Sequence, residues 1–164
     1  MSDMKKKHVL LVDDDTSILE VLKLVFDEEG YCVDTVDSAQ GALEKIEAHF
    51  YDLALLDIKL PDMDGTELLA RIRGRMPHII NVMITGYPGL DNAIRSLNLG
   101  ADAYIVKPVN MIQLLEIVRE KLNEQDEAKS LNEEKVAKWI EARLRSAKGE
   151  GDTDDDGHTG QSFV

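Results

Sequence analysis

The sequence is poor in cysteine, in aromatic residues and in positive charge. Cys32 is the only cysteine of 164 residues and aromatic residues make up 5%. One cysteine excludes an intrachain disulfide framework, and we expect Cys32 to pack as a small apolar side chain in the second strand. The 19 Lys and Arg face 32 Asp and Glu, which gives a formal charge of −13. Because such a surface repels phosphate backbones and anionic lipids, we expect no direct nucleic-acid or membrane partner.

Long apolar runs are also missing. No run approaches the roughly 18 residues that a membrane span needs. Residues 1–7 are charged and are not followed by an apolar core long enough for a secretory signal, so we expect a cytoplasmic location. The apolar share of 43% is enough for one globular domain with solvated ends.

Between His8 and Leu122, short runs of Val, Ile and Leu alternate with segments whose apolar residues recur at helical spacing. The predicted strands are His8–Val12, Tyr31–Val36, Leu53–Asp57, Ile79–Thr85 and Ala103–Val106. The predicted helices are Ile18–Phe26, Ser38–Ala48, Thr66–Arg73, Asp91–Leu99 and Asn110–Leu122. Strands that are apolar on both faces are typical of a parallel sheet covered by helices. The pattern predicts an α/β domain over residues 1–123, with a doubly wound five-stranded parallel sheet.

The pattern changes after this domain. The apolar period lapses over Asn123–Lys129, and Ser130 with Glu133 then forms a capping box that predicts a helical extension within residues 124–148. Residues 149–164 hold five acidic residues, four glycines and no Lys or Arg. Such a segment buries too little apolar surface to offset its ordering entropy, so we expect a disordered acidic tail.

Polar residues stand at the carboxyl ends of four predicted strands. They are Asp13 with Asp14, Asp57, Thr85 and Lys107. Singly, each has an ordinary explanation, since Asp13 to Asp15 are typical helix caps and a terminal Lys is usually solvated. Together they favour one site, because the functional crevice of a doubly wound sheet lies beyond its carboxyl ends.

The charges of these side chains suggest a chemistry. Two carboxylates about 4 Å apart repel by ~4 kcal/mol at an effective dielectric constant of 20, so three of them require a cation. Oxygen donors without a Cys or His cluster favour Mg²⁺ over zinc. Mg²⁺ and Lys107 would balance the three carboxylates, and Thr85 and Lys107 could then bond a phosphoryl group. The residues thus predict phosphoryl transfer to an aspartate.

The same residues resemble the response-regulator receiver domain of bacterial two-component signalling. The resemblance covers roughly Lys7 to Asn123. Its motifs are Val12-Asp13-Asp14, Leu56-Asp57 with Pro61 and Met63-Asp64-Gly65, Thr85-Gly86, Gly100-Ala101-Asp102, and Tyr104 with Lys107-Pro108.

The resemblance implies a flavodoxin-like strand order 2-1-3-4-5 and a cis Lys107–Pro108 peptide bond. It implies that Asp57 accepts phosphate from a histidine kinase or a phosphotransfer protein. It further implies that Asp14, Asp57 and the main-chain carbonyl of Lys59 hold Mg²⁺, with Asp13 helping through water. Such a receiver promotes its own phosphorylation and dephosphorylation and is not a turnover enzyme.

Thr85 and Tyr104 would form the switch that the resemblance implies. It would change the face made by helix four, strand five and helix five, and a downstream effector protein would bind there. Lys59 and Tyr87 occupy positions that tune phosphate loss in the family. Their long cationic and aromatic side chains predict a slowly decaying phosphorylated form.

Other functions stay open at this point. Asp13-x-Asp15-x-Ser17 followed by Thr85 and Lys107 also resembles a haloacid-dehalogenase-type phosphatase, in which Asp13 would be the nucleophile. That reading leaves Asp57 without a role, and a nucleotide-binding protein fits worse because no Gly-rich cradle is present. The chain could also be the receiver fragment of a longer transcriptional regulator.

Overall fold

Strands and helices alternate strictly in the computed structural model, which describes residues 5–86 and 89–161. The strands are β1 (His8–Val12), β2 (Cys32–Val36), β3 (Leu53–Asp57), β4 (Ile80–Thr85) and β5 (Ala103–Val106). The helices are α1 (Thr16–Glu28), α2 (Ala39–Ala48), α3 (Gly65–Arg75), α4 (Leu90–Asn98) and α5 (Met111–Gln161). Every predicted strand and helix of the domain is present, and the ends are shifted by a few residues except for the end of α5, which lies at Gln161 and not at Leu122.

All neighbouring strands of the sheet are parallel, in the order β2-β1-β3-β4-β5. This arrangement confirms the doubly wound sheet and the strand order that the resemblance implies. The register pairs Val12 with Leu56 and Asp57 with Ile84. The carboxyl ends of β1, β3 and β4 therefore lie side by side at one edge.

Two apolar layers cover the sheet, because alternate residues of each strand point to opposite faces. Leu10 and Val12 of β1 pack in one cluster with residues of α2 and α3. Val9 and Leu11 pack in the other with residues of α1 and the first turns of α5. β3 and β4 are buried along their whole length, which is why their sequences lack a polar alternation.

The expectation for Cys32 is wrong. This residue opens the edge strand β2 and its side chain is exposed, whereas the next residue, Val33, is buried. Because successive side chains of a strand point to opposite faces, burying Val33 turns Cys32 outward.

The C-terminal region also differs from expectation. The chain divides into two compact units between Leu122 and Asn123, yet α5 continues through that point to Gln161. The expected break at 123–129 is absent, because these residues include good helix formers and neither Gly nor Pro. The helix also covers 149–161, where we expected disorder. The four glycines of residues 149–161 each disfavour a helix by about 1 kcal/mol, so local propensity does not explain this part of α5.

Apolar side chains of the second unit are exposed along α5. They include Val136, Trp139, Ile140 and Leu144. The guanidinium carbon of Arg143 lies 5.1 Å from the centroid of the Trp139 ring, a cation–π contact. Within the described part of the chain, none of the helices combines the length and the hydrophobicity that crossing a bilayer requires.

Candidate functional site

Of the three aspartates after β1, Asp15 caps α1, whereas Asp13 and Asp14 are left for the site. Asp15 is the N-cap of α1, since its Oδ1 accepts hydrogen bonds from the main-chain N–H of Ser17 and Ile18. The capping interpretation therefore holds for Asp15. Asp13 is buried and Asp14 is exposed, and the main-chain N–H of Asp13 donates to Val36 of the neighbouring strand at 3.2 Å. The strand pairing thus fixes the start of this turn.

Asp57 ends β3 and only 4% of it is exposed. The main-chain N–H of Lys59 donates to its Oδ1 at 3.3 Å. Thr85 ends the adjacent strand β4 and is fully buried, and its carbonyl accepts a hydrogen bond from the main-chain N–H of Lys107 at 2.8 Å. The last pairing of β4 with β5 therefore places Lys107 at the same edge of the sheet.

The ammonium group of Lys107 lies between two carboxylates. Its Nζ is 2.8 Å from Asp13 Oδ2 and 3.3 Å from Asp57 Oδ2. The two carboxylate side chains are nearly buried, with 6% and 5% exposed. The structure thus brings together the ends of β1, β3 and β5, although these residues lie 94 and 50 positions apart in the sequence.

The surroundings of Asp57 disfavour its ionised form and raise the pKa of its carboxyl group. Burial raises the pKa of its carboxyl group, the negative charge of Asp13 raises it further, and Lys107 and the Lys59 N–H offset part of the effect. Burial lowers the pKa of Lys107, but its hydrogen bonds to Asp13 and Asp57 and the negative charges of these carboxylates outweigh this, and the net pKa is raised. One ammonium group therefore serves two carboxylates, and a third lies close to them.

Carboxylate oxygens of Asp13, Asp14 and Asp57 lie within 4.8 Å of one another, so this group could hold a metal ion. Hard oxygen donors suit Mg²⁺, which is bound through one or two carboxylates and keeps several water molecules. The exposed Asp14 leaves one side of the group accessible to solvent. The residues present therefore fit a magnesium ion.

Gly65 allows the loop between β3 and α3 to pass close to Asp57. Its N–H donates to the Ile58 carbonyl at 2.7 Å. A Cβ at this position would lie 2.1 Å from the Asp57 carbonyl oxygen, which is far inside van der Waals contact. The neighbouring Asp64 caps α3 by accepting the N–H of Thr66. The motif Asp64-Gly65 thus serves the geometry of the loop that follows Asp57.

Asp62 joins the same loop to another part of the domain. Its two carboxylate oxygens accept the main-chain N–H groups of Ala39 and Gln40, at 2.9 and 2.8 Å, at the start of α2. These hydrogen bonds lower the pKa of Asp62. No local sequence signal predicts this contact, because its partners lie 23 and 22 residues away.

Tyr104 lies on β5, and its ring packs against the cluster that contains Leu10 and Leu56. Its hydroxyl group is buried and has no hydrogen-bond partner among the described residues. The Lys107–Pro108 peptide bond is cis, as the resemblance implies. Tyr87, to which we assigned a part in phosphate retention, lies outside the described residues.

Comparison with known proteins identifies the family to which this site belongs. Residues 9–119 match the response regulator receiver domain. The chain belongs to this family. The receiver is 41% identical over 106 residues to the transcriptional regulatory protein BasR of Escherichia coli (strain K12), covering 65% of this chain and 48% of BasR. It is 36% identical over 118 residues to the response regulator ArlR of Staphylococcus aureus (strain Mu50), covering 72% of this chain and 53% of ArlR.

Solved structures agree with these relatives. The crystal structure of a CheY-like response regulator receiver domain protein from Methanospirillum hungatei JF-1 is 51% identical in sequence. It superimposes with a TM-score of 0.74 over 76% of this chain and 99% of that one. Because the chain belongs to the receiver family, we drop the phosphatase interpretation. The chain contains a receiver, which is a signalling domain of two-component systems. The receiver chain spans about half the length of BasR and ArlR.

Proposed function

We propose that this receiver accepts a phosphoryl group on Asp57 from the phosphohistidine of a kinase or a phosphotransfer protein. A carboxylate oxygen of Asp57 forms the new P–O bond, and the P–N bond to the histidine breaks as the imidazole leaves. The ammonium of Lys107, held between Asp57 and Asp13, is the observation that supports this most strongly. A cation in this place is ready to bind the oxygens of an acyl phosphate.

The other residues of the site have separate tasks in this proposal. Asp14, Asp57 and the Lys59 carbonyl would hold Mg²⁺, and Asp13 would act on it through water. When bound, the ion neutralises negative charge on the phosphoryl oxygens. The Lys59 N–H orients the Asp57 carboxylate through its hydrogen bond to Oδ1. Lys107 and the Thr85 hydroxyl would donate to the phosphoryl oxygens, and through these contacts the receiver promotes its own phosphorylation and dephosphorylation.

An apolar groove beside the site supports a protein as the phosphoryl donor. It has a volume of about 350 Å³ and lies between α1 and the turn that leads into α5. Ile18, Val21, Pro108 and Met111 line it, and Lys107 stands at its edge. Half of the Val21 side chain is exposed there. We propose that an apolar helical surface of the kinase or phosphotransfer protein docks in this groove, with its phosphohistidine facing Asp57.

Phosphorylation would then change the face made by α4, β5 and α5. The phosphoryl group favours the conformation in which Thr85 bonds it, and Tyr104 occupies the space that Thr85 leaves. The hydroxyl of Tyr104 is buried and has no hydrogen-bond partner within residues 5–86 and 89–161, which supports a second position for this side chain. Leu97 and Val106 are exposed on this face, at 54% and 43%, and would contact an effector protein.

The curated relatives support a second output route. BasR is a transcriptional regulatory protein of which this chain spans 48%. The same residues could therefore serve as the receiver part of a longer regulator, in which the switching face contacts an attached domain. Both routes use the same phosphorylation chemistry on Asp57.

The test is to locate the phosphoryl group. The protein is incubated with Mg²⁺ and acetyl phosphate, and the mass gain is measured and mapped by reductive trapping of the acyl phosphate. We expect one phosphoryl group on Asp57, no labelling of Asp57→Asn, and no labelling in EDTA. Asp15→Asn is the matched control, because asparagine also caps a helix and this side chain is outside the acidic group. Labelling that survives in Asp57→Asn would overturn the proposal.

A further inference from the structure

The loop between β3 and α3, residues 58–64, determines where the main chain of Lys59 lies. Its N–H contacts Asp57, and under the proposed function its carbonyl faces the magnesium ion. Two contacts close the loop on itself: a bridge between Lys59 and Asp64, and the hydrogen bond from the Gly65 N–H to the Ile58 carbonyl. Neither contact relates the tip of the loop to the rest of the domain.

Asp62 supplies such a contact. Its carboxylate accepts the N–H groups of the first two residues of α2, Ala39 and Gln40, while the Ser38 hydroxyl accepts the third, from Gly41. The first turn of α2 has no acidic residue of its own. Asp62 therefore provides from a distant loop the negative charge that a helix N-terminus favours, through two charge-assisted hydrogen bonds.

We propose that Asp62 is a positioning residue of the phosphorylation site: by fastening the 58–64 loop to α2, it holds the Lys59 carbonyl where Mg²⁺ needs it. This rests on the proposed function, since it concerns the same metal and the same aspartate. Asp62 is exposed and touches neither the ion nor the phosphoryl group. Its effect reaches the Lys59 carbonyl through the two intervening residues of the loop, Leu60 and Pro61.

The test compares two ways of loosening α2. Asp62→Ala removes the contact between loop and helix, whereas Ser38→Ala removes a cap of the same helix and leaves the loop untouched. Amide hydrogen exchange in the metal-free protein should be faster at Ala39 and Gln40 in Asp62→Ala. Calorimetric titration should show Mg²⁺ affinity about 10-fold weaker in this variant, the lower end of what residues beyond the direct ligands contribute. Ser38→Ala should keep the wild-type affinity.

A kinetic measurement separates positioning from general destabilisation. The phosphorylation rate of Asp62→Ala should fall at low Mg²⁺ and return toward the wild-type rate at saturating Mg²⁺. Circular dichroism should show the variant fully folded at both Mg²⁺ concentrations, because Mg²⁺ would also recover a partly unfolded protein. Asp62→Asn keeps one acceptor oxygen, should fall between wild type and Asp62→Ala, and serves if the alanine variant does not fold.

Equal Mg²⁺ affinities for wild type, Asp62→Ala and Ser38→Ala would overturn the positioning role and leave phosphorylation of Asp57 intact. Equal losses in both alanine variants would also overturn it, since the effect would then belong to α2. A wild-type protein that neither binds Mg²⁺ nor labels on Asp57 overturns the proposed function, and this inference with it.

Discussion

Lys107 lies closer to Asp13 than to Asp57: its ammonium nitrogen is 2.8 Å from Asp13 Oδ2 and 3.3 Å from Asp57 Oδ2. The other oxygen of Asp13 accepts the N–H of Asp15 at 2.9 Å, so both oxygens of this carboxylate are engaged. Lys107 thus compensates two nearly buried negative charges in the absence of metal. A phosphoryl group on Asp57 would have to compete with Asp13 for this ammonium.

Replacing Lys107 with methionine should destabilise the metal-free protein. The change leaves two buried carboxylates without their shared cation, which we expect to cost about 3 kcal/mol of unfolding free energy, the lower end for a buried ion pair. Urea unfolding in EDTA measures this loss. Added Mg²⁺ should restore part of it, because the ion supplies positive charge to the same carboxylates.

Lys23→Met is the matched control for that experiment. Lys23 forms an ion pair with Asp27 at 3.1 Å in which about half of each side chain is exposed. An exposed pair one helical turn apart contributes less than about 0.5 kcal/mol. If both methionine variants lose the same stability, or if Mg²⁺ stabilises them equally, Lys107 does not neutralise the acidic group.

Asp57→Asn should stabilise the metal-free protein, by about 1 kcal/mol, because it removes a buried charge that faces Asp13. The raised pKa of Asp57 agrees with this expectation, because it shows that the folded state disfavours the ionised carboxyl group. Mg²⁺ should then stabilise the variant less than it stabilises the wild type. Thermal unfolding with and without Mg²⁺ measures both effects.

Asp14→Asn tests the loss of a metal ligand without the loss of a buried charge. Asp14 is exposed, so its replacement should leave the metal-free melting temperature nearly unchanged while weakening the stabilisation by Mg²⁺. A metal-free protein that becomes less stable on Asp57→Asn substitution would show that the hydrogen bonds of Asp57 outweigh its repulsion from Asp13.

The sequence carries enough information for the fold because the strands are apolar on both faces and the helices carry regular stripes. The residues at the carboxyl ends of the strands could be found for a related reason. Parallel strands end at the same edge, so Asp13, Asp57 and Lys107 meet once the topology is known. The topology itself came from the resemblance and not from the residues alone.

Other features could not be predicted from the sequence. They are a contact between distant residues, the face to which an edge-strand side chain points, and the length of α5. Asp62 binds α2 across more than twenty positions, and nothing near it in the sequence marks the contact. Cys32 faces outward because Val33 is the residue that the edge strand buries. The continuous α5 has no breaker at 123–129, so a lapse in apolar periodicity there signals loss of packing and not the end of the helix.

Two glycines of α3 should respond in opposite ways to alanine. Gly65→Ala places a methyl group 2.1 Å from the Asp57 carbonyl oxygen, so main-chain atoms must move, at a cost of at least about 2 kcal/mol. Gly74→Ala meets nothing within 4 Å and should stabilise the same helix by about 0.5 to 1 kcal/mol. Chemical unfolding measures both. Equal stabilities would show that the loop after Asp57 can relax around a side chain.

Lys59→Ala should shorten the lifetime of the phosphorylated protein. Lys59 follows Asp57 by two positions and is exposed, and under the proposed function its long cationic side chain would shield the acyl phosphate from attacking water. Label loss after removal of the phosphodonor should take longer than seconds in the wild type and become several-fold faster in Lys59→Ala, because water then reaches the acyl phosphate more easily. Lys59→Arg keeps a long cation and should decay like the wild type. A wild-type label that disappears within seconds, or an arginine variant as fast as the alanine variant, would contradict the shielding role of this side chain.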